Sequence, residues 1–395
     1  MAVEIRAIRE SEQEECLALW QTVFGDPRAY FERYFRGDAE YLPDYTLCAL
    51  VDGRLASAAQ IVRRVVSLPG CTLTMGGIAN VATLPGHRGR GLSTACLARA
   101  IETMRADAMD VSILFTGVAA FYARLGWEET SVPRMSAALD PHRLALSAPG
   151  PCPRPYARGD DEGLRSLYAS ANGERPLTVR RGPPYWRDWI GWDAGRAPGR
   201  AMVIDSASQL RGYALSRARG ESARVRELVA RGDDLDVMAA LLADAAAAAA
   251  SEGARTLRIE MPASAAAREA ARRALGSVDV EDGRGPMVRF LDVERLLGGL
   301  MPLLLARWSA AGRPGGRIAA REPGGQRAAI VEAAARGLTV RSAAQPAAGA
   351  LTQSELFGLL VGCERAFARV NDEGASLARA LFPRCDPWFW ALDAF

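Results

Sequence analysis

Hydrophobic and polar residues along the chain follow the two periods that define regular structure. Alternation over 3–8, 46–51 and 55–68 predicts strands, and Asp52-Gly53 between the last two predicts a hairpin turn. Over 11–24 the apolar residues recur at helical spacing, which predicts a helix with one buried face. The aromatic residues after this helix predict either core packing or a substrate pocket; they are Tyr30, Phe31, Tyr34, Phe35, Tyr41 and Tyr45.

A glycine-rich stretch then joins a strand to a helix. Small and β-branched residues continue to Thr83, Pro85-Gly86 ends the strand, and Ser93–Ile101 has helical spacing. The Arg88–Gly91 loop therefore precedes a helix N-terminus, where backbone N–H groups and the helix dipole favour a bound phosphate. A buried strand is predicted over 111–115, and a short helix over 119–125 ends at Gly126.

Beyond a proline-rich linker over 149–155, the order of elements partly repeats. A helix is predicted near 160–172, then strands at 200–206, 210–217 and 223–230, a helix at 235–252 and a strand at 255–261. In place of the phosphate loop, the second copy has Arg231-Gly232-Asp233-Asp234-Leu235-Asp236. Because these carboxylates suit helix capping but repel pyrophosphate, the second copy is predicted to be structural.

The last third of the chain, from about residue 286, predicts an α+β unit. It has an apolar segment over 296–308, strands at 315–321, 326–333 and 337–343, and helices at 353–361 and 374–382. The chain ends in Trp388-Phe389-Trp390 followed by Ala391-Leu392-Asp393-Ala394-Phe395. An ordinary tail is polar and frayed, so we expect this terminus to be inserted in the fold with its α-carboxylate available for chemistry.

The composition of the chain limits the classes of protein to which it can belong. With 395 residues and 49% hydrophobic residues, two or three domains with buried cores are expected. All 49 basic residues are arginine against 46 acidic residues, so a broad nucleic-acid surface is not expected, and the absence of lysine excludes a Walker phosphate loop. The seven scattered cysteines indicate neither disulfides nor a zinc site, and no apolar run is long enough for a bilayer. We expect a soluble, cytoplasmic protein without a metal.

The order of elements resembles that of the GNAT N-acetyltransferases. Arg88–Ser93 (Arg-Gly-Arg-Gly-Leu-Ser) matches the family pattern Arg/Gln-x-x-Gly-x-Gly/Ala except at Ser93. Phe121–Trp127 (Phe-Tyr-Ala-Arg-Leu-Gly-Trp) resembles the family's Phe-Tyr-x-x-x-Gly-Phe/Tyr. An ordinary glycine turn between a strand and a helix is the alternative interpretation of the loop.

Over its whole length the chain resembles the Eis family of N-acetyltransferases. The resemblance implies a fold of mixed α/β and α+β class with three domains: a catalytic GNAT domain (1–148), a degenerate second GNAT-like domain (149–288) and a sterol-carrier-protein-like domain (289–395) that ends in a catalytic C-terminus. It also implies acetyl transfer from acetyl-CoA to an amine, such as an aminoglycoside, a polyamine or a lysine side chain, by a homo-oligomer, often a hexamer.

The same resemblance implies roles for individual residues. Tyr122 matches the general acid, and the α-carboxylate of Phe395 matches the general base. The residues that would hold acetyl-CoA are Val81, Ala82, Thr83, Arg88, Gly89, Arg90, Gly91, Leu92 and Ser93.

Acetyl transfer itself requires a base for the ammonium and an acid for the thiolate. An α-carboxyl has a pKa of about 3.3–3.7 in water, so burial beside Trp388, Phe389 and Trp390, or a relaying water, would have to assist it. His87 is the alternative base, although its place in the loop favours a role beside the cofactor, and His142 is incidental. The alternatives for Tyr122 and Phe395 are a core tyrosine and a packed terminus.

The substrate region departs from the family pattern. Some Eis enzymes carry a glutamate before the terminal Phe, whereas this chain has Ala394 there and Asp393 one position earlier. The candidates for supplying negative charge to the cleft are Asp26, Asp38, Glu40 and Asp44. An aminoglycoside, a polyamine and a natural-product intermediate all stay open as acceptors. The alternative class is a non-catalytic lipid- or acyl-CoA-binding protein on the same scaffold.

Overall fold

The structure is a computed structural model that describes residues 2–140, 150–192, 198–206, 209–323, 327–346 and 349–395. His142 and the first proline of the predicted linker, Pro149, lie outside these residues. The chain forms two compact units: unit 1 contains Met1–Thr130, Gly285–Cys385 and Phe395, and unit 2 contains Ser131–Arg284 and Asp386–Ala394.

The first part of unit 1 alternates strands and helices. Its elements are β1 (Val3–Ala7), α1 (Gln13–Phe24), α2 (Arg28–Arg36), β2 (Thr46–Val51), β3 (Arg54–Leu68), β4 (Cys71–Thr83), α3 (Leu92–Ala106), β5 (Val111–Leu114) and α4 (Ala119–Ala123). The strands pair in chain order, antiparallel from β1 to β4 and parallel between β4 and β5. The strands and the first helix predicted from the sequence are confirmed. Helix α2 was not predicted.

Unit 2 has a second mixed arrangement of strands and helices. Strand β6 (Glu128–Ala138) leads into it, and the following elements are β7 (Arg154–Pro155), α5 (Asp161–Asn172), a π-helical turn (Tyr185–Trp189), β8 (Arg200–Ser206), β9 (Gln209–Arg219), β10 (Ser222–Ala230), α6 (Leu235–Ser251), β11 (Thr256–Ile259) and α7 (Ala265–Leu275). Strands β10 and β11 are parallel, and the described pairs on either side of them are antiparallel. The strands and helices predicted over this part of the chain are therefore present in the predicted order.

The chain returns to unit 1 through β12 (Asp279–Phe290), whose residues Met287–Phe290 pair antiparallel with β5. The elements after it are α8 (Val293–Gly299), α9 (Met301–Ala310), β13 (Gly316–Arg321), β14 (Ala328–Ala334), β15 (Gly337–Ala343), α10 (Gln353–Leu360), α11 (Glu364–Phe367) and α12 (Asp372–Leu381). Strands β13, β14 and β15 form an antiparallel sheet. The apolar segment over 296–308 is two helices, because Pro302 belongs in a first helical turn and starts a new helix.

The core of unit 1 lies on both faces of its first sheet. One face packs against α3, whose buried side chains include Cys96, Leu97 and Met104. The other face packs against α1 and α2, where Trp20 and Phe31 contact each other with ring centroids 5.8 Å apart. The aromatic residues of α2 thus mainly fill the core. Within the described ranges, no helix is both long enough and apolar enough to cross a bilayer.

Candidate active site

The site is organised around the place where β4 and β5 stop pairing. Their parallel register runs from Met75↔Val111 to Gly77↔Ile113, whereas β4 continues to Thr83. On its other edge, β4 stays paired with β3 as far as Thr83, across a bulge where Asn80 has a φ of 53°. We call residues 77–83 and 113–115 the β4–β5 fork. Beyond Gly77 the second edge of β4 can form strand-like hydrogen bonds to an extended ligand.

The predicted phosphate loop follows the fork directly. A 3-10 turn over Pro85–His87 leads into exposed residues, and α3 begins at Leu92. Gly89 and Gly91 have φ values of 74° and 75°, and an added Cβ at either would meet open space. The loop therefore needs glycine for its backbone conformation, and it presents an open helix N-terminus that suits a pyrophosphate.

Residues beside this loop form hydrogen bonds that fix it to the end of β4. The Arg88 side chain donates from Nε to the carbonyl of Thr83 at 3.3 Å, which ties the loop to the end of β4. The Ser57 hydroxyl donates to the carbonyl of Ala82 at 2.7 Å and lies 2.8 Å from the Thr83 hydroxyl. In the described part of the chain, the buried Nδ1 of His87 has no hydrogen-bond partner.

Tyr122 lies in α4, immediately after β5 and its loop. Its ring is 9% exposed and packs edge-on against Phe121 and Trp127, with centroid distances of 4.9 and 6.2 Å. Burial raises the pKa of Tyr122 to about 12, so the phenol stays protonated at neutral pH.

The turn after α4 holds that tyrosine in place. The Trp127 indole donates to the Ser112 hydroxyl of β5 at 3.2 Å. Gly126 has a φ of 87°, and a Cβ there would lie 1.9 Å from an Arg289 guanidinium nitrogen, so only glycine fits. The motif residues Gly126 and Trp127 thus have a structural reason: they anchor α4 to the strand beside the fork.

The terminal Phe395 lies at the fork. A Cβ built on Gly77 would come within 2.2 Å of the far end of the Phe395 ring, so this ring rests directly on the bare Gly77 backbone. The same ring packs edge-on against Phe115 with centroids 5.8 Å apart. Because successive strand residues point to opposite faces, and a Cβ on Gly76 would meet Met104 of α3, Phe395 lies on the face opposite α3. The prediction that the terminus is packed into the fold is confirmed.

Two of the carboxylates proposed to attract a cationic substrate are each paired with an arginine. Asp38 and Arg64 form a buried ion pair at 2.9 Å, with side chains 5% and 2% exposed. Glu40 pairs with Arg63. The expectation that Asp38 offers negative charge to an acceptor is therefore wrong, because Arg64 of β3 binds it in a buried ion pair. For Glu40, whose side chain is 48% exposed in its pair with Arg63, the expectation stays a prediction. Asp26 and Asp44 are exposed.

In unit 2 the residues before Phe395 are fixed by a buried charge cluster. Arg181 contacts Asp393 at 2.8 Å and Glu227 at 2.7 Å, and all three side chains are fully buried. Tyr185 donates to Asp393 at 3.0 Å, and Tyr213 donates to Glu227 at 2.6 Å. Burial raises the pKa of Asp393. Sequence reasoning missed this cluster.

The upstream tail residues Trp388 and Trp390 form hydrogen bonds within unit 2. The Trp388 backbone N–H donates to the Pro176 carbonyl at 2.9 Å, and the Trp390 indole donates to Asn172 at 3.0 Å. The Phe395 ring contacts Gly77 and Phe115 in unit 1. The sequence held one signal for the contact between Phe395 and β4. Gly77 lies inside a strand, and a glycine there often marks the close approach of another group.

The acidic turn of unit 2 is built as a cap. Asp234 accepts hydrogen bonds from the backbone N–H groups of Asp236 and Val237 and pairs with Arg211, which confirms its predicted capping role. Asp233 and Asp236 lie 3.7 and 3.3 Å from Arg175 and Arg273. The charges that would oppose a pyrophosphate are thus held in ion pairs at the start of α6.

Comparison with known proteins agrees with this geometry. Residues 4–130 match the family model of the acetyltransferase (GNAT) domain. The chain therefore carries a GNAT acetyltransferase domain, and the activity that this supports is acyl transfer. None of the curated proteins compared with the chain matches it.

Solved structures share the fold over the full length at low identity. A GCN5-related N-acetyltransferase from Anabaena variabilis has a TM-score of 0.69 at 15% identity, covering 100% of both chains. A probable N-acyltransferase from Enterococcus faecalis has a TM-score of 0.68 at 15% identity, covering 98% of this chain and 97% of that chain. Eis1 from Mycobacterium abscessus has a TM-score of 0.65 at 18% identity, covering 100% of both.

Proposed function

We propose that the protein transfers the acetyl group of acetyl-CoA to a primary amine of a small molecule. Tyr122 is the general acid and the α-carboxylate of Phe395 is the general base. The observation that carries this proposal is the position of the Phe395 ring on Gly77, where β4 and β5 stop pairing and a pantetheine arm would enter. The residues that hold the cofactor in this proposal are those of 81–83 and 88–93.

The general base and the general acid each act once in the proposed reaction. The ammonium of the acceptor gives a proton to the terminal carboxylate, directly or through a water, and the free amine then attacks the thioester carbonyl. As the new C–N bond forms and the C–S bond breaks, the thiolate takes the phenolic proton of Tyr122. The second proton of the nitrogen then passes to the Tyr122 phenolate, directly or through a water, and the protonated terminal carboxyl gives its proton to solvent. With its pKa raised to about 12, Tyr122 is protonated at neutral pH and can give that proton.

We further propose that the protein is a member of the Eis family. In this proposal it has tandem GNAT domains over 1–148 and 149–288 and a sterol-carrier-protein-like domain over 289–395. The support for a second GNAT-like copy is its repeated pairing: β10 is parallel to β11 only as far as Val225↔Ile259 and then continues to Ala230. By the same resemblance we also propose that the protein is a cytoplasmic homo-oligomer, such as a hexamer.

The second copy is proposed to bind no cofactor. Glu227 lies just beyond the end of the β10–β11 pairing, and there it holds Arg181 and, through it, Asp393. A fully buried ion cluster leaves no room for a pantetheine arm at that position. Calorimetric titration should give one acetyl-CoA per chain, and a stoichiometry of two would contradict this part of the proposal.

A C-terminal extension tests the proposed base. Adding four residues after Phe395 replaces the terminal carboxylate by a neutral amide, so acetylation should fall on the order of 10²–10⁴-fold with acetyl-CoA binding retained. The matched control carries the same four residues before Met1 and should keep the parent rate. If the C-terminally extended protein is folded, binds acetyl-CoA and acetylates at the parent rate, another base must act.

A further inference from the structure

Two exposed apolar side chains lie in the loop that joins β5 to α4. In the described residues, eight large apolar side chains are exposed, and two of them, Phe115 at 43% and Val118 at 63%, belong to one four-residue segment. Exposed apolar residues scattered singly need no explanation, but a pair of them in a single short loop does.

This segment connects the two ends of the proposed site. Phe115 follows β5 at the fork, and its ring packs edge-on against the Phe395 ring at 5.8 Å. Val118 is the cap residue of α4, and its carbonyl accepts the Phe121 N–H at 3.0 Å. Tyr122 lies four residues after Val118. In our inference, an acceptor held between the terminal carboxylate and the phenol lies against the segment that carries Phe115 and Val118.

Two of the carboxylates that could bind a polycation are already paired with arginines. An acceptor with several ammonium groups needs several carboxylates, yet Asp38 and Glu40 are bound by Arg64 and Arg63. Ala394 adds no charge beside Phe395, and the Asp393 side chain is engaged by Arg181 within unit 2. In the proposed function, the terminal carboxylate of Phe395 receives a single ammonium.

We infer that the acceptor is a monoamine with an apolar body, aryl or alkyl, and that Phe115 and Val118 are residues that determine this specificity. The inference rests on the proposed function and narrows its substrate. Covering the exposed parts of these two side chains removes apolar surface from water, which favours the acceptor with the larger apolar body.

The first experiment compares acceptors at a fixed acetyl-CoA concentration by thiol release. The apolar monoamines are 2-phenylethylamine and hexylamine, and the polar or polycationic ones are ethanolamine, putrescine, spermidine and kanamycin. We expect kcat/KM for 2-phenylethylamine to exceed that for ethanolamine and putrescine at least tenfold, equivalent to about 1.4 kcal/mol. A preference for spermidine or kanamycin overturns the inference and leaves the proposed function intact. If none of the six amines is acetylated, the inference is overturned, and the proposed function fails as well if the calorimetric titration shows no acetyl-CoA binding.

The second experiment tests the two residues. Phe115→Ala and Val118→Ser should each lower the ratio of kcat/KM for 2-phenylethylamine to that for ethanolamine, Phe115→Ala by about tenfold, mainly through a higher KM for 2-phenylethylamine. The matched control is Phe24→Ala, since Phe24 is 45% exposed on α1 and has the same size as Phe115. It should leave that ratio unchanged.

A ratio separates specificity from general damage, because a folding defect lowers both rates together. The inference is overturned if the ratio in Phe115→Ala equals that of the parent. It is also overturned if Phe115→Ala changes the oligomeric state measured by size-exclusion chromatography, since a second copy of the chain would then be what covers this segment.

Discussion

Replacing Gly77 by alanine tests whether the position of the terminal ring matters for the chemistry. The added methyl group would lie 2.2, 2.5 and 2.7 Å from three atoms of the Phe395 ring. Carbon atoms in contact prefer about 3.5–4.0 Å, so the ring has to retreat by about 1 Å or more. A displacement of about 1 Å in a catalytic group can cost about 10²-fold in rate. We therefore expect kcat to fall by about 10²-fold.

The loss of stability caused by Gly77→Ala should matter less than the loss of rate. Overpacking of a well-packed site costs about 1–3 kcal/mol, which a folded domain can absorb. The measurements are kcat and KM for both substrates by thiol release, with urea unfolding of the same preparations. Because the displaced group is the proposed base and not a cofactor contact, kcat should fall with little change in the KM for acetyl-CoA.

Gly76→Ala is the matched control on the neighbouring residue. Its methyl group would lie 2.3 Å from the Met104 sulfur and 2.9 Å from the Met109 sulfur, on the face of α3. It should destabilise the protein by a similar amount while kcat stays within about threefold of the parent. If both variants keep the parent kcat, or if both lose it equally, the position of the Phe395 ring does not govern the rate.

A double-mutant cycle completes the test. Phe395→Ala removes the ring but keeps a terminal carboxylate, so Gly77→Ala should cost little stability in that background. A coupling energy of about 0.5–3 kcal/mol between the two changes is expected for residues in direct contact. Additive free energies of unfolding would show that the two residues do not touch.

Three further predictions concern the loop, the acid and the fold. Arg88→Glu with Arg90→Glu should raise the acetyl-CoA Kd at least tenfold, about 1.4 kcal/mol by calorimetry, and an unchanged Kd would remove the loop from the site. Tyr122→Phe should lower kcat by about 10²–10⁴-fold. In the parent protein, ionisation of Tyr122 should cause no loss of kcat below about pH 11, because burial raises the pKa of Tyr122 to about 12. The bond from Arg6 lowers the pKa of Glu12 from 4.5 to about 2, so Glu12→Gln should cost about 1–2 kcal/mol at pH 7.

The sign of the Glu12 effect follows from its lowered pKa. The stabilisation is fully present above about pH 4.5 and is lost as the pH falls towards about 2, where the carboxyl is protonated in the folded state too. Urea unfolding at pH 7 and at pH 3 should therefore show a smaller difference between parent and variant at pH 3. An equal difference at both values would mean that the ion pair with Arg6 is not its source.

The elements that the sequence predicted well are those whose periodicity is long and undisturbed. The hairpin of β2 and β3, the loop before α3 and helix α6 all have patterns that local physics explains. Helix α2 was missed because its run of aromatic residues and arginines hides the helical spacing. Strand β12 was missed because Gly283, Gly285 and Pro286 lie inside it, and such residues are depleted in strands.

The parts of the site that depend on distant contacts could not be predicted in the same way. Arg181 meets Glu227 across 46 residues and Asp393 across 212 residues, and no local pattern carries that information. The burial of the tail was predictable from its tryptophans, and Trp390 is 2% exposed. The pairing of Asp38 with Arg64 was not, because a sequence does not tell which carboxylates find arginines in the fold.

The pairing of β5 with Met287–Phe290 of β12 has a consequence for synthesis of the protein on the ribosome. After Thr130 has been made, about 160 more residues must be translated before this partner strand exists, which takes about 8–30 s at about 5–20 residues per second. For that time the edge of β5 has no native partner to cover it, and an uncovered strand edge invites aggregation. The nascent chain should therefore be a client of holding chaperones during this interval, while the residues of unit 2 are being added.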